Sequence, residues 1–210
     1  EVLDAQPTPL GAAALLVAGD VGDAADALSF LAHATLTSVL HAAGVLHDRM
    51  ARSMAMHDVC AVFAPKAIAA SHLNASLAPK PLEAVGLFSS VASTFGNVGQ
   101  ANYAGGNAYL DALASSRRRH GVLGSSMQIP AVSGAGMGAT TFTQEQLNAM
   151  GAISLDEFAA CLSNSVMPTR AAVERTQAPL ASNLLGMLGA TLRTPTCEEE
   201  TLLAEQKSGL

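Results

Sequence analysis

Four side chains in the middle of the sequence carry the chemistry: Ser90, Tyr103 and Asn107, with Lys66 lying 24 residues ahead of the serine. A hydroxyl, a phenol, an amide and an amine make a proton-relay set of the kind that reduces a carbonyl. One group holds the oxygen while another protonates it. Tyr103 and Asn107 stand four apart in a helical segment, so their side chains share a face. A tyrosine acting as an acid near neutral pH needs its ordinary pKa of ~10 lowered by about 3, which asks roughly 4 kcal/mol of its surroundings. Lys66 is the candidate source of that shift. On these residues alone the pattern is weak, because chance often supplies a Ser and a Tyr-x-x-x-Asn. A core phenol, a strand-end cap and a solvated lysine are the competing reading.

The elements that would position them alternate short apolar runs with longer amphipathic segments over the first 130 residues, the pattern of βαβ units on a parallel sheet. Strands are predicted at Ala12–Ala18, Leu36–His41, Ala84–Phe88 and Ser125–Ile129. Helices are predicted at Asp23–Ala34, over about Ala51–Leu77 in one or two pieces, and at Ala101–Arg119, closed by Gly121. Ser90 then falls just past a strand's carboxyl end, where open parallel sheets bind ligands. After Pro130 the character changes. Ser133–Thr141 reads as flexible, with Gly134-Ala-Gly-Met-Gly138 a lid segment rather than a phosphate loop. The capping boxes Thr143-x-x-Gln146 and Ser154-x-x-Glu157 open short helices. Ala181–Leu192 reads as one more helix and Thr194–Leu210 as an extended end. The predicted organisation is a domain over residues 1–166 and a helical and extended tail, 167–210, that docks on a partner.

Composition narrows the function classes. Half the residues are apolar and 13% are charged, enough to bury a sizeable core, and a net charge of -6 argues against a nucleic-acid partner. The basic run Arg117-Arg118-Arg119-His120 falls at a helix end, where it offsets the helix dipole. Three cysteines with no CxxC pair predict neither a disulfide framework nor a zinc site, and they point to a reducing compartment, cytoplasm or organelle interior. The six histidines show no HExxH or comparable spacing, so no metal is expected. No apolar run approaches the ~20 residues that cross a bilayer, so a soluble chain without a transmembrane segment is expected. The chain opens on Glu1 rather than Met, which implies sequence upstream.

The flanking motifs raise the four residues above chance. His41-Ala-Ala-Gly-Val-Leu-His-Asp48, Phe63-Ala-Pro-Lys-Ala67, Leu87-Phe-Ser-Ser-Val-Ala92 and Gly99-Gln-Ala-Asn-Tyr-Ala-Gly-Gly-Asn-Ala-Tyr-Leu-Asp-Ala-Leu113 follow one another in order. Together they resemble the ketoreductase domain of modular polyketide and animal-type fatty-acid synthases, part of the short-chain dehydrogenase/reductase superfamily. The resemblance covers about Ala13 to Val166. It implies an α/β, Rossmann-like, three-layer fold with a mostly parallel sheet. In such domains the lysine precedes the serine and asparagine stands four after tyrosine, as Lys66, Ser90, Tyr103 and Asn107 do here. By resemblance Tyr103 donates a proton to the keto oxygen, Ser90 holds that oxygen, and Lys66 and Asn107 tune Tyr103 and relay protons. The hydride would come from NADPH, and the substrate would be a β-ketoacyl thioester on an acyl carrier protein. Leu46-His47-Asp48 keeps two positions of the Leu-Asp-Asp motif that such domains associate with one alcohol stereochemistry.

Two departures bear on activity. The strand, Thr-Gly-Gly-x-Gly-type turn and helix that open the family's fold have no counterpart, so the fold reads as truncated. Asp20 and Val21 match the adenine-side contact, and Ala42, Ala43 and Gly44 match the ribose and nicotinamide side. Ile129-Pro-Ala-Val-Ser-Gly-Ala135 replaces the Asn-Trp-Gly-Pro-Trp-like run that lines the nicotinamide. Three readings stay open: part of an active ketoreductase, working with other synthase domains, whose nucleotide half is supplied by upstream sequence or a partner chain; a catalytically silent structural or interaction subunit docked in a larger assembly; or a small-molecule binder without turnover. A parallel sheet without its first strands exposes an edge that a partner, a homodimer or the tail must cover. No NADPH oxidation is expected from the chain alone.

Overall fold

In a computed structural model of the chain, residues 17–32, 36–77 and 82–166 are described. The predicted strand at Ala12–Ala18 lies mostly outside them. The helix at Ala181–Leu192 and the end Thr194–Leu210 lie wholly outside. The described residues fall into two compact units, one running to Pro130 and resuming at Leu162, the other Ala131–Cys161.

In the first unit, helix α1 (Ala24–Ala32) starts where the Asp23 carboxylate accepts from the Ala25 and Asp26 amides, at 2.8 and 3.1 Å. Strands β1 (Ser38–His41), β2 (Ala84–Ser90) and β3 (Ser125–Ile129) form one parallel sheet in the order β1-β2-β3. Ser38 lies opposite Ala84, and Gly86 opposite Ser125. β2 is the middle strand, and its buried Val85, Gly86 and Leu87 form the near-continuous apolar run that such a position requires. A Cβ at Gly86 would come within 2.7 Å of Leu40 Cδ2 and push that exposed side-chain tip aside. β1 is shorter than predicted, beginning at Ser38 instead of Leu36, and β2 continues to Ser90 itself.

The connection from β1 to β2 carries a 3-10 turn at Ala51–Ser53, then α2 (Met56–Phe63), a π-helical turn (Ala64–Ile68) and α3 (Ala69–Leu77). Pro65 explains the widened turn. It has no N–H to give, and its ring excludes the carbonyl four residues back, so the ladder opens and the Ala69 amide closes on Ala64 O. From β2 the chain passes through a short α4 (Ala92–Phe95) into α5 (Ala101–Arg119) and on to β3. On α5 the buried residues Tyr103, Gly106, Asn107, Leu110, Ala114 and Arg117 recur every three or four positions, one face turned inward. Gly121, at φ 73°, ends the helix as predicted. Arg117 does more than offset the dipole: it is buried, donating to Leu123 O at 2.7 Å and to Asn74 Oδ1.

Leu31, Leu73, Leu77, Val85, Leu87 and Leu110 fill the core between sheet and helices. Each contributes about 2 kcal/mol by leaving water. In the second unit, Thr143 and Gln146 exchange backbone and side-chain hydrogen bonds to open α7 (Gln144–Ala149). Ser154 and Glu157 do the same for α8 (Leu155–Val166), so both predicted capping boxes are present. The expected flexible run is different. Gly136–Thr141 forms helix α6, entered through Gly134 and Gly136, both at positive φ.

Candidate active site

The carboxyl ends of β1 and β2 carry the site. β1 ends at His41, which is followed by Ala42-Ala43-Gly44, and β2 ends at Ser90. The π turn holds Lys66, and the first half of α5 holds Tyr103 and Asn107. The structure brings Lys66, Ser90, Tyr103, Asn107 and Gly44 to one place.

Lys66 is buried, at 3% exposure, with its stem threaded between two glycines. A Cβ on Gly44 would stand 2.8 Å from Lys66 Cε, and one on Gly106 would stand 3.8 Å from its Cβ and Cδ. Its ammonium donates to Phe88 O at 3.0 Å and sits 5.2 Å above the Tyr103 ring. Burial pulls its pKa down to about 8, and the Asp111 carboxylate works against that fall. The Lys66 carbonyl accepts from buried His41 Nε2 at 3.0 Å, which fixes that tautomer, while burial lowers the His41 pKa and keeps the ring neutral. The π turn is therefore pinned to the end of β1 through Lys66's own backbone.

Tyr103 is 8% exposed and Asn107 fully buried. The Asn107 amide donates to Tyr103 O at 2.8 Å, one turn back, and Asn107 O accepts from Ser89 Oγ at 3.2 Å. Asn107 Oδ1 finds no hydrogen-bond partner among the described residues. Ser90 Oγ accepts from the Ala92 amide at 3.2 Å, which sets its rotamer. The Tyr103 pKa runs opposite to the lowering expected from sequence. Burial raises it, the side chains of Asn107 and Ser90 pull it down, and Asp48 pushes it up again. The phenol is thus held in its protonated form.

Asp20 and Val21 lie on the turn before α1. The Asp20 carboxylate accepts from Gly22 N at 2.8 Å, and a Cβ on Gly22 would meet Ala64 O at 3.4 Å, which places this turn beside the start of the π turn. Ala42 and Ala43 occupy the open segment after β1.

Sequence reasoning missed Asp111. One turn beyond Asn107, its carboxylate accepts from Ser93 Oγ at 2.7 Å, from Gln128 Nε2 at 2.9 Å and from Ser126 Oγ. These bonds tie α5 to α4 and to β3, and so hold the helix that carries Tyr103 against them. Its position four after Asn107 was the available signal. Asn102 was missed too. It donates at 2.9 Å to both His47 O and Asp58 O, clamping the loop after β1 to α2.

The parallel sheet and its helices have the short-chain dehydrogenase/reductase fold, with Lys66, Ser90, Tyr103 and Asn107 gathered at the sheet's carboxyl edge. The sequence matches the KR domain over residues 5–134, and the chain belongs to that family. It is 47% identical over 123 residues to polyketide synthase GfsA of Streptomyces halstedii, covering 56% of the chain and 2% of that protein. It is 38% identical over 157 residues to a 6-methylsalicylic acid synthase of Arthrobotrys oligospora, covering 70% of the chain and 9% of that protein. A solved A1-type ketoreductase superposes with a TM-score of 0.68 at 32% identity, covering 77% of this chain and 34% of that one. The first ketoreductase of the tylosin polyketide synthase superposes at 0.63 with 33% identity, over 69% and 32% of the two chains. The chain thus spans a small part of its curated relatives and about a third of these structures. Among the described residues no helix is long and apolar enough to cross a membrane.

Proposed function

We propose that the chain supplies the proton-transfer part of an NADPH-dependent ketoreductase in a polyketide synthase, acting on a β-ketoacyl thioester carried by an acyl carrier protein. The observation that carries this reading is the buried ammonium of Lys66, held 5.2 Å above a buried Tyr103 ring. A charge kept out of water costs stability, and its place over the Tyr103 ring supports a catalytic use beyond its hydrogen bond to Phe88 O.

The residues fit a nicotinamide and its ribose on one side. Gly44 leaves open backbone where a Cβ would strike Lys66, and Asn107 Oδ1 offers a buried acceptor with no partner among the described residues. Gly44 with Ala42 and Ala43 would line the nicotinamide and ribose, and Asp20 with Val21 the adenine side. The 210 residues contain no Thr-Gly-Gly-x-Gly turn for the pyrophosphate, so that contact is assigned to another segment. When bound, the nicotinamide supplies the hydride.

Ser90, its rotamer set by the Ala92 amide, holds the keto oxygen. Tyr103, kept protonated by burial, passes its phenolic proton to that oxygen as charge builds there. The Lys66 ammonium stabilises the resulting phenolate, and Asn107 Oδ1 orders the donor that returns a proton. Fusing the chain to the nucleotide-binding section of a polyketide synthase ketoreductase tests the assignment. The complemented enzyme should consume NADPH and form a 3-hydroxyacyl thioester, while the 210-residue chain alone should not. A complemented enzyme that binds NADPH and leaves the β-ketoacyl thioester unchanged contradicts the reading.

A further inference from the structure

His47, His57 and Asp58 are drawn together at the start of α2, away from any function given to the site above. The Asp58 side chain is 1% exposed, and its two oxygens have different duties. Oδ2 accepts from the Ala55 amide at 2.8 Å, the ordinary work of an acidic residue in a helix's first turn. Oδ1 faces three side chains at once: His47 Nε2 at 2.7 Å, His57 Nε2 at 3.2 Å and Arg49 Nε at 3.6 Å. Of the three, only His47 makes a hydrogen bond to this oxygen, so His57 and Arg49 face it without one.

The rings stand edge to face with centroids 6.5 Å apart, and the three ligand atoms lie within 4.8 Å of one another. Zinc bonds of about 2.0–2.1 Å put tetrahedral ligand atoms about 3.3 Å apart. The His57–Asp58 separation of 3.2 Å matches one such edge, while the 2.7 Å His47–Asp58 hydrogen bond must lengthen to admit the ion. The backbone behind the cluster is also fixed. The Asn102 amide holds His47 O and Asp58 O at 2.9 Å each, so the residue bearing one imidazole and the residue bearing the carboxylate keep a set separation. The imidazoles are 43% and 76% exposed, which leaves ion entry open and room for water as a fourth ligand.

We propose that His47, His57 and Asp58 form a binding site for a single zinc-like divalent ion, with water completing the coordination. Two imidazoles and one carboxylate select zinc or a neighbouring first-row metal over magnesium or calcium, which prefer all-oxygen shells. The ion takes the place of the N–H proton that His47 now gives to Oδ1, and Arg49, half-exposed, turns aside into water. The sequence held no sign of it, because His47 and His57 come from a loop and a helix and share no metal motif. Bound metal would staple the loop after β1 to α2 beside Asn102, the neighbour of Tyr103.

Titration of the 210-residue protein with Co2+, followed by its visible absorption, and with Zn2+, by competition against a chromophoric chelator, tests the site. One ion per chain is expected, with the intense band of a four- or five-coordinate centre and a Zn2+-dependent rise in the thermal midpoint. His57→Gln, at an exposed position that should leave the fold intact, should weaken binding by at least roughly tenfold and abolish the midpoint rise. Cys60→Ser should change neither. Absence of one-to-one binding, binding indifferent to His57→Gln, or binding lost with Cys60→Ser would each overturn the proposal.

Discussion

Replacing Lys66 with methionine should make the protein more stable and less active, and the structure sets the size of the trade. The Lys66 pKa falls from 10.5 to about 8 because folding strips water from its ammonium. That fall is worth about 3 kcal/mol against folding with the charge in place. The sign follows from proton counts. Between pH 8 and 10.5 the unfolded chain holds the lysine proton and the folded chain releases it, so stability rises with pH there. The cost is largest below pH 8 and fades as pH climbs toward 10.5. Methionine matches the stem between Gly44 and Gly106 but gives up the donation to Phe88 O, which offsets roughly 1–2 kcal/mol. Lys66→Met should therefore stabilise by about 1–2 kcal/mol near neutral pH. Urea unfolding of both proteins at about pH 7 and about pH 10 separates the contributions. The wild type should gain about 2 kcal/mol over that range relative to the variant, and the complemented variant should lose turnover. A difference between the two proteins that does not change with pH would refute the buried-ammonium argument. So would a variant less stable at neutral pH.

Gly44→Ala should leave the fold intact but push the Lys66 ammonium aside, since the new Cβ would stand 2.8 Å from Lys66 Cε. A shift of about 1 Å at that group should lower kcat/KM of the complemented enzyme about 100-fold, with little change in the unfolding midpoint. Asp111→Ala removes the shared acceptor of Ser93, Ser126 and Gln128. It should cost about 3 kcal/mol in urea unfolding, and it should lower the Lys66 pKa further, because Asp111 now raises it. An Asp111→Ala protein as stable as wild type would remove that network from the account.

What the sequence disclosed follows the reach of each interaction. The long helix over Ala101–Arg119 and the strand Ser125–Ile129 were readable to the residue, because a stripe of buried positions and a flanking glycine are local signals. The two capping boxes were readable for the same reason. The π turn at Ala64–Ile68 was not, although Pro65 marks its place, because opening the ladder rather than ending the helix depends on packing by α5. The helix at Gly136–Thr141 was hidden by its glycines, which argue for flexibility wherever they cluster. At the site, Lys66, Ser90, Tyr103 and Asn107 were found through type, order and flanking motifs. Their electrostatics were not legible. Desolvation, which drives Tyr103 up and Lys66 down, depends on how deeply residues distant in sequence bury them. Asp111 escaped notice because its partners Ser93, Ser126 and Gln128 lie 15 to 18 residues away, and the His47, His57 and Asp58 cluster because a loop and a helix without a metal-motif spacing bring it together.

The central claim is that Tyr103 gives the proton that completes carbonyl reduction. Single-turnover reduction of a β-ketoacyl thioester by the complemented enzyme, with Tyr103 and with Tyr103→Phe, tests it most directly. Phenylalanine keeps the ring under Lys66 and removes only the hydroxyl. The account predicts a rate lower by roughly 10²–10⁴, with NADPH affinity unchanged. A Tyr103→Phe protein that reduces the thioester at the wild-type rate would contradict it.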